Sequence, residues 1–154
     1  MEGTGRQTIV VGVSGSPASE AALRWAADEA RRRQAVLRVV RSWNPPFRAA
    51  YAPHASSGAD PAGEEQAAVL RAVFGSRIPA EVSAGLVQGH PERVLVEESA
   101  GADLLVIGSA AVPLTSGVMG PVVRACLHLA SCPVVVVHAR PEGAADPRAA
   151  LAAT

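Results

Sequence analysis

The residues of this chain that could do chemistry are the glycines that follow its fourth apolar segment. An apolar run over residues 104–107 ends at Gly108, and a loop with Gly117 and Gly120 leads into a helix predicted to start at Pro121. Glycine lets a backbone approach an anion closely, and the free amides of a helix's first turn point at such an anion. The spacing therefore predicts a phosphate-binding loop, to which Pro121 brings no N–H group.

Composition and charge exclude several other kinds of site. The 154 residues include 14 Lys plus Arg and 14 Asp plus Glu, so the formal net charge is zero, and aromatic residues make up only 3%. We therefore expect no nucleic-acid surface and no base-stacking platform. No apolar run approaches the roughly 20 residues of a membrane-spanning helix, and the N-terminus carries no export signal. A cytoplasmic protein is expected, with Cys126 and Cys132 as reduced, largely buried thiols.

Apolar periodicity predicts strands that alternate with helices. The expected strands cover residues 8–13, 36–43, 81–88, 103–108 and 133–138. Four helices are expected: one that starts at Pro17, one over residues 64–74, one that starts at Pro91 and one over residues 121–130. Ser16 is the expected N-cap of the first helix. Residues 44–63 are predicted to be a loop, residues 1–140 a single domain and residues 141–154 a flexible tail.

This alternation predicts an α/β fold, namely a Rossmann-like three-layer sandwich with a parallel sheet between two layers of helices. Such sheets bind ligands beyond the carboxyl ends of their strands, where the strand order reverses. The Gly108 loop, the turn over residues 12–16 and the end of the second strand near Ser42 are expected to meet there. The fold and the glycines thus predict the same site.

Five segments of the chain together resemble the universal stress protein family, over about residues 8–138. The segments are residues 9–27, 37–43, 89–95, 102–109 and 131–137. The resemblance implies a sheet of five parallel strands in the order 3-2-1-4-5. It also implies a homodimer formed through the last strand, here Val134, Val135, Val136 and Val137. One branch of the family binds ATP and another does not.

The chain departs at three positions from the ATP-binding branch, whose loop after the fourth strand reads Gly-x2-Gly-x9-Gly-Ser/Thr. Gly108 matches the first glycine, but Ala111 occupies the second glycine position and Pro121 the hydroxyl position, in a loop about one residue short. Ser14 replaces the family's first-strand aspartate, which reaches toward the nucleotide. Each lost anchor weakens binding roughly tenfold. ATP affinity is therefore expected to be weakened or lost, and AMP-like binding with a loosely held phosphate is an alternative.

The resemblance carries a nucleotide site onto eleven positions of this chain. These positions are Gly12, Val13, Ser14, Ser42, Ile107, Gly108, Ser109, Gly117, Gly120, Pro121 and Val122. ATP or AMP is the implied ligand, accompanied by Mg²⁺ if the ligand is ATP, and no cofactor is obligatory.

The resemblance implies a regulatory protein of the universal stress type with an adenine-nucleotide pocket, and two other functions stay open from the sequence. The joint departures favour a dimeric interaction module that binds no nucleotide and acts through an unidentified regulatory protein. A slow nucleotide hydrolase is the third hypothesis, although no serine has a His and Asp partnership for nucleophilic catalysis. His90 and His128 are expected to be exposed, and no catalytic residue and no metal site are predicted.

Overall fold

Strands and helices alternate through the described part of the chain. A computed structural model describes residues 5–45, 61–109 and 120–139. The elements are β1 (Thr8–Gly12), α1 (Pro17–Arg33), β2 (Val36–Trp43), α2 (Pro61–Phe74), β3 (Val82–Gln88), α3 (Pro91–Glu98), β4 (Leu104–Ser109), α4 (Pro121–Leu129) and β5 (Val134–His138). All strand pairs are parallel, and the order in the sheet is β3-β2-β1-β4-β5. The predicted fold class and strand order are confirmed.

The central strand β1 is apolar on both faces because helices cover both faces of the sheet. Ile9 and Val11 are fully buried in one cluster with Leu23 of α1. Val10 points to the other face, where it is buried in a second cluster with Val94 of α3. Burial of each such aliphatic side chain contributes about 1.5–3 kcal/mol. The two clusters hold α1 and α2 on one face of the sheet and α3 and α4 on the other.

Helix α1 begins and ends on local signals that the sequence carries. The Ser16 side chain accepts the amide of Ser19, and Pro17 is the first helical residue. The helix ends at Gln34, whose φ of 54° is left-handed and whose amide donates to the carbonyls of Ala30 and Arg31. The assignment of Ser16 as an N-cap is therefore confirmed.

The second helix starts earlier than predicted, which corrects the boundary of the predicted loop. Pro61 is the first residue of α2, because proline suits a position whose N–H would have no partner in the helix. The loop prediction is thus wrong for residues 61–63, and residues 46–60 lie outside the described residues. The other predicted ends differ from the observed ends by at most one residue. The predicted tail, residues 141–154, also lies outside the described part.

The two edges of the sheet are β3 and β5. The four valines of β5 are half-buried, and β5 pairs only with β4 within the described sheet, from the Leu105–Val134 pair to the Ser109–His138 pair. In the segments that the structure describes, none of the helices has the length and apolarity needed to cross a membrane.

Candidate functional site

The carboxyl ends of β1 and β4 lie side by side at the point where the strand order reverses. Val11 pairs with Val106 in the sheet register, and Gly12 pairs with Val40 of β2 on its other side. Gly12 and Ile107 are the next residues of the two strands. This edge is where an open parallel sheet binds ligands, and we call it the carboxyl edge.

Further residues of the predicted site lie at the carboxyl edge. Val13 is buried, and its amide donates to the carbonyl of Val40 at 2.9 Å, which extends the alignment of β1 and β2 by one residue. Ser42 near the end of β2 and Gly108 and Ser109 at the end of β4 are half-buried. The structure thus brings the strand-end residues of the predicted site to one edge.

Gly108 is required for close packing of α1 on β4. A Cβ atom at this position would overlap the backbone carbonyl of Ala18 and lie 3.1 Å from the Ala18 Cβ. Because the obstacle is helix backbone, a side chain cannot be accommodated by a rotamer change. This glycine therefore has a packing role, whatever its contact with a ligand.

Gly12 has a similar role on the opposite face of the sheet. A Cβ atom there would lie 2.7 and 2.8 Å from the two terminal carbons of Leu95 in α3. The obstacle here is the far end of a side chain, which can move more easily than backbone. The two glycines let α1 and α3 approach the carboxyl edge from both faces.

Three serine hydroxyls form a compact cluster where β1 passes into α1. The Ser14 Oγ lies 3.0 Å from the Ser16 Oγ and 2.8 Å from the Ser19 Oγ. The Ser14 amide donates to the Ser19 Oγ at 2.6 Å. The hydroxyl that stands in place of the family's aspartate is therefore engaged within the chain.

Ser19 is the member of this cluster that sequence reasoning missed. The residue is buried, with 4% of its surface exposed. Its position three residues after the N-cap, where a capping box has Glu or Gln, was the available signal. That signal is weak because a serine in the first turn of a helix is common.

An ion pair from the neighbouring elements lies next to the serine cluster. The Arg41 guanidinium of β2 pairs with the Glu65 carboxylate of α2. A Cβ on Gly15 would lie 3.2 Å from the Glu65 carboxyl carbon, which places this carboxylate against the β1–α1 turn. The Arg41 Nε is buried and has no hydrogen-bond partner within the described residues. Sequence reasoning missed this pair because its partners are 24 residues apart.

Helix α4 begins without a side-chain cap. Gly120 is the N-cap, and Pro121 is the first helical residue. The next two amides, of Val122 and Val123, have no acceptor within a helix of this geometry. These two amides are what the α4 start offers to an anion. Gly117 and Ala111 lie outside the described residues.

The described histidines lie at the surface, as expected for His90 and His128, and His54 lies outside the described residues. His90, His128 and His138 are exposed, and the His90 Nδ1 lies 3.4 Å from the Asn44 Nδ2. Across residues 5–45, 61–109 and 120–139, no three His, Cys, Asp or Glu side chains are grouped as metal ligands would be.

Both cysteines are free thiols, and their surroundings keep them protonated. Burial raises the pKa of Cys126 to about 11, with smaller contributions from Cys132 and from the charge of Glu92. Burial also raises the pKa of Cys132, against a hydrogen bond from Ser99 that lowers it. Because the thiolate is the reactive form, neither thiol is activated as a nucleophile.

Comparison with known proteins shows relatives over most of the chain. The profile of the Universal stress protein family matches residues 5–138. The chain is 32% identical over 135 residues to a universal stress protein of Mycobacterium tuberculosis, covering 88% of this chain and 50% of the relative. It is 37% identical over 132 residues to one of Mycobacterium bovis, covering 84% of this chain and 45% of the relative. The chain thus spans about half the length of these relatives.

Solved structures show the same architecture. A universal stress protein from Archaeoglobus fulgidus aligns with a TM-score of 0.64 and 25% identity over 85% of this chain and 93% of its own. A universal stress protein in complex with cAMP aligns with a TM-score of 0.57 and 26% identity over 86% of this chain and 96% of its own. A universal stress protein from Archaeoglobus fulgidus in complex with dAMP aligns with a TM-score of 0.57 and 25% identity over 85% of this chain and 97% of its own. With this fold, this strand order and a family match over 5–138, the chain belongs to the universal stress protein family.

Proposed function

We propose that this chain is a regulatory protein that binds an adenine nucleoside monophosphate at the carboxyl edge and binds ATP weakly. The observation that carries the proposal is the likeness to two universal stress proteins in complex with cAMP and dAMP, at 26% and 25% identity over 86% and 85% of this chain. Both of those ligands carry a single phosphate group.

The local chemistry of the carboxyl edge favours one phosphate over three. Pro121 removes an amide from the start of α4, which leaves the amides of Val122 and Val123 as donors. The Ser14 hydroxyl is neutral and is engaged with Ser16 and Ser19. Two helix amides suit one phosphate group, and the described residues group no three His, Cys, Asp or Glu side chains that could hold the Mg²⁺ of a triphosphate.

We expect AMP and cAMP to bind at least about tenfold more tightly than ATP, which corresponds to about 1.4 kcal/mol. Isothermal titration calorimetry of the nucleotide-free protein with AMP, cAMP and ATP plus Mg²⁺ measures the order of affinities. Equal or tighter binding of ATP would contradict the preference, and no binding of any of the three at millimolar concentration would end the proposal. Release of ADP from ATP in the same samples would instead indicate the slow hydrolase.

The substitution Pro121→Ser separates the phosphate contacts from the rest of the site. The variant restores an N–H and a hydroxyl at the first position of α4, so we expect ATP affinity to rise about tenfold, since a hydrogen bond to a charged group contributes about 1.5–3 kcal/mol. Pro133→Ser is the control, because Pro133 precedes β5 at the opposite end of the sheet. An equal gain in both variants would show that Pro121 does not face the phosphates.

We also propose that two copies of the chain pair through β5, which favours an interaction role beside ligand binding. The position of the strand supports the pairing. It lies at an edge of the described sheet, and an unpaired edge of four valines is an association hazard.

The backbone of Val136 offers a specific test of the edge. The Pro133 carbonyl accepts from Leu105, and the Ala139 amide donates to Ser109, so these odd-numbered residues face β4. Alternation along the strand turns the N–H of Val136 to the open edge.

We expect Val136→Pro to weaken the dimer at least tenfold while the fold persists, because proline removes a donor from the edge and leaves the β4 ladder intact. Multi-angle light scattering over a concentration series measures the monomer fraction. Val135→Pro is the contrast, since it breaks the β4 ladder and lowers the melting temperature. A dimer that is unchanged in Val136→Pro, or a monomeric wild-type protein, would exclude pairing through β5.

A further inference from the structure

A cavity of about 610 Å³ lies at the end of the sheet opposite the carboxyl edge. Its apolar wall includes Leu37 near the start of β2 and Val73 and Phe74 at the end of α2. Its cationic wall is formed by Arg6, which precedes β1, and by Arg24 and Arg31 of α1. We call this space the amino-end cavity. The cavity lies beside the residue that precedes β1 and the start of β2, whereas the proposed nucleotide site lies at the carboxyl ends of the strands. The two sites are therefore separate, and the cavity does not depend on the nucleotide site.

The arginines of the amino-end cavity are positioned but only partly used. The Arg24 Nη2 donates to the Ala72 carbonyl at 2.9 Å and to the Glu20 carboxylate at 3.0 Å, which fixes the side chain at α2. Neither its Nη1 nor its Nε has a partner among the described residues. Arg31 pairs with Asp28 through Nη2 alone, and Arg6 forms no ion pair within the described part of the chain. Each guanidinium carries five N–H donors, so all three keep donors that no described residue accepts.

The charges that line the cavity leave a positive excess. Two carboxylates, of Asp28 and Glu81, accompany the three arginines. Asp28 pairs with Arg31, and Arg24 pairs with Glu20, which does not line the cavity. Arg6 is thus the arginine of the wall that has no ion pair among the described residues. A group of opposite charge is therefore the natural complement of the cationic wall, since arginine forks bind carboxylate and phosphate oxygens in pairs.

We propose that the amino-end cavity binds a small amphipathic anion, with an apolar body on the Leu37 and Phe74 wall and one carboxylate or phosphate head on the arginines. The volume lies within the roughly 300–1,000 Å³ of small-molecule sites. An apolar surface with a few convergent polar groups is also the usual composition of such sites. The two head groups share the same recognition chemistry, and the ligand series below distinguishes them.

The experiment is an amide NMR titration of the full chain with decanoate, decyl phosphate and decanol. We expect saturable shifts for α1 residues near Arg31 and for residues around Phe74 with one or both anions. Decanol should bind at least about tenfold more weakly, because it lacks the charged head. The tighter of the two anions identifies the head group. Shifts that do not saturate, that cluster at the carboxyl edge, or that are equal for decanol would overturn the proposal.

Neighbouring arginines of α1 provide a matched pair of variants. Arg31 lines the cavity and pairs with Asp28, whereas Arg32 does not line it and pairs with Glu29 in the same i, i+3 spacing. Both are exposed and lie in the last turn of the helix. We expect Arg31→Ala to weaken binding of the anion about tenfold and Arg32→Ala to weaken it less than twofold. The two variants should have similar melting temperatures. Equal effects of the two substitutions would show that the anion responds only to the general positive charge of the helix end. That result would overturn the proposed site.

A second, independent variant fills the cavity with a larger side chain. Val73 is half-buried and lies in the apolar wall, so Val73→Trp is expected to remove binding of the anion while nucleotide titrations stay unchanged. Exposed Leu86 of β3 lies outside the cavity, and Leu86→Trp is the control. Anion binding that survives Val73→Trp in a folded protein would place the ligand elsewhere.

Discussion

Replacing Gly108 with alanine is expected to lower the free energy of unfolding by about 3 kcal/mol, because the new methyl group meets backbone. The added Cβ would overlap the carbonyl of Ala18, which belongs to the first turn of α1. Helix backbone cannot move without shifting α1 from β4, and α1 supplies buried side chains to the larger core cluster. The penalty is therefore strain in the native state rather than loss of a contact.

Urea unfolding monitored by circular dichroism measures the loss, and Gly85→Ala is the matched control. Gly85 also lies in a strand, but a Cβ there has no heavy atom within 4 Å, so we expect a change below about 0.5 kcal/mol. Comparable stability of the two variants would show that α1 and β4 can separate at no cost. The expected result also means that a bulky substitution at Gly108 cannot serve as a clean block of the nucleotide site, since it disturbs the fold first.

Raising the pH from 9 to 11 is expected to lower the free energy of unfolding by about 2 kcal/mol, through Cys126. In the native state burial raises the pKa of this thiol from 9.0 to about 11. The unfolded chain therefore releases the thiol proton at a lower pH than the native chain does. The stabilisation is fully present below pH 9, and it is lost as the pH rises toward 11, because the unfolded state then binds fewer protons than the native state.

Denaturant unfolding at a series of pH values, for the wild type and for Cys126→Ala, isolates this contribution. The variant carries a cavity cost at every pH, so the comparison concerns the slope between pH 9 and 11, which is expected to flatten in the variant. The chain suits this measurement because all 14 of its basic residues are arginines, which keep their charge in this range. Parallel curves for the two proteins would contradict the assigned role of Cys126.

Much of the fold could be predicted from local sequence signals. The continuous apolar run at Ile9, Val10 and Val11 predicts a strand covered on both faces, and the structure buries all three completely. Ser16 and Pro17 mark the start of α1 because a cap hydroxyl and a residue without N–H both suit that position. These signals depend on neighbouring residues, so one sequence is enough to read them. The glycine pattern after β4 likewise predicts where a ligand site belongs in this fold, although nucleotide binding stays a proposal.

Other features depend on contacts between distant segments, which no local pattern encodes. The need for glycine at position 108 comes from the backbone of Ala18. Ala18 lies 90 residues earlier in the chain and meets Gly108 only when α1 packs on β4. Arg41 and Glu65 pair because α2 returns over β2, and the earlier start of α2 was likewise not evident from the apolar spacing. The amino-end cavity arises from residues between Arg6 and Val82. The alternation of strands and helices and the positions of the capped helices were in the sequence because they follow from periodicity and short-range hydrogen bonding, whereas the strand order was implied by the resemblance to the family. The steric need for a glycine, the serine cluster around Ser19 and the shape of the cavity arise from packing, since each depends on how closely two separately formed elements approach.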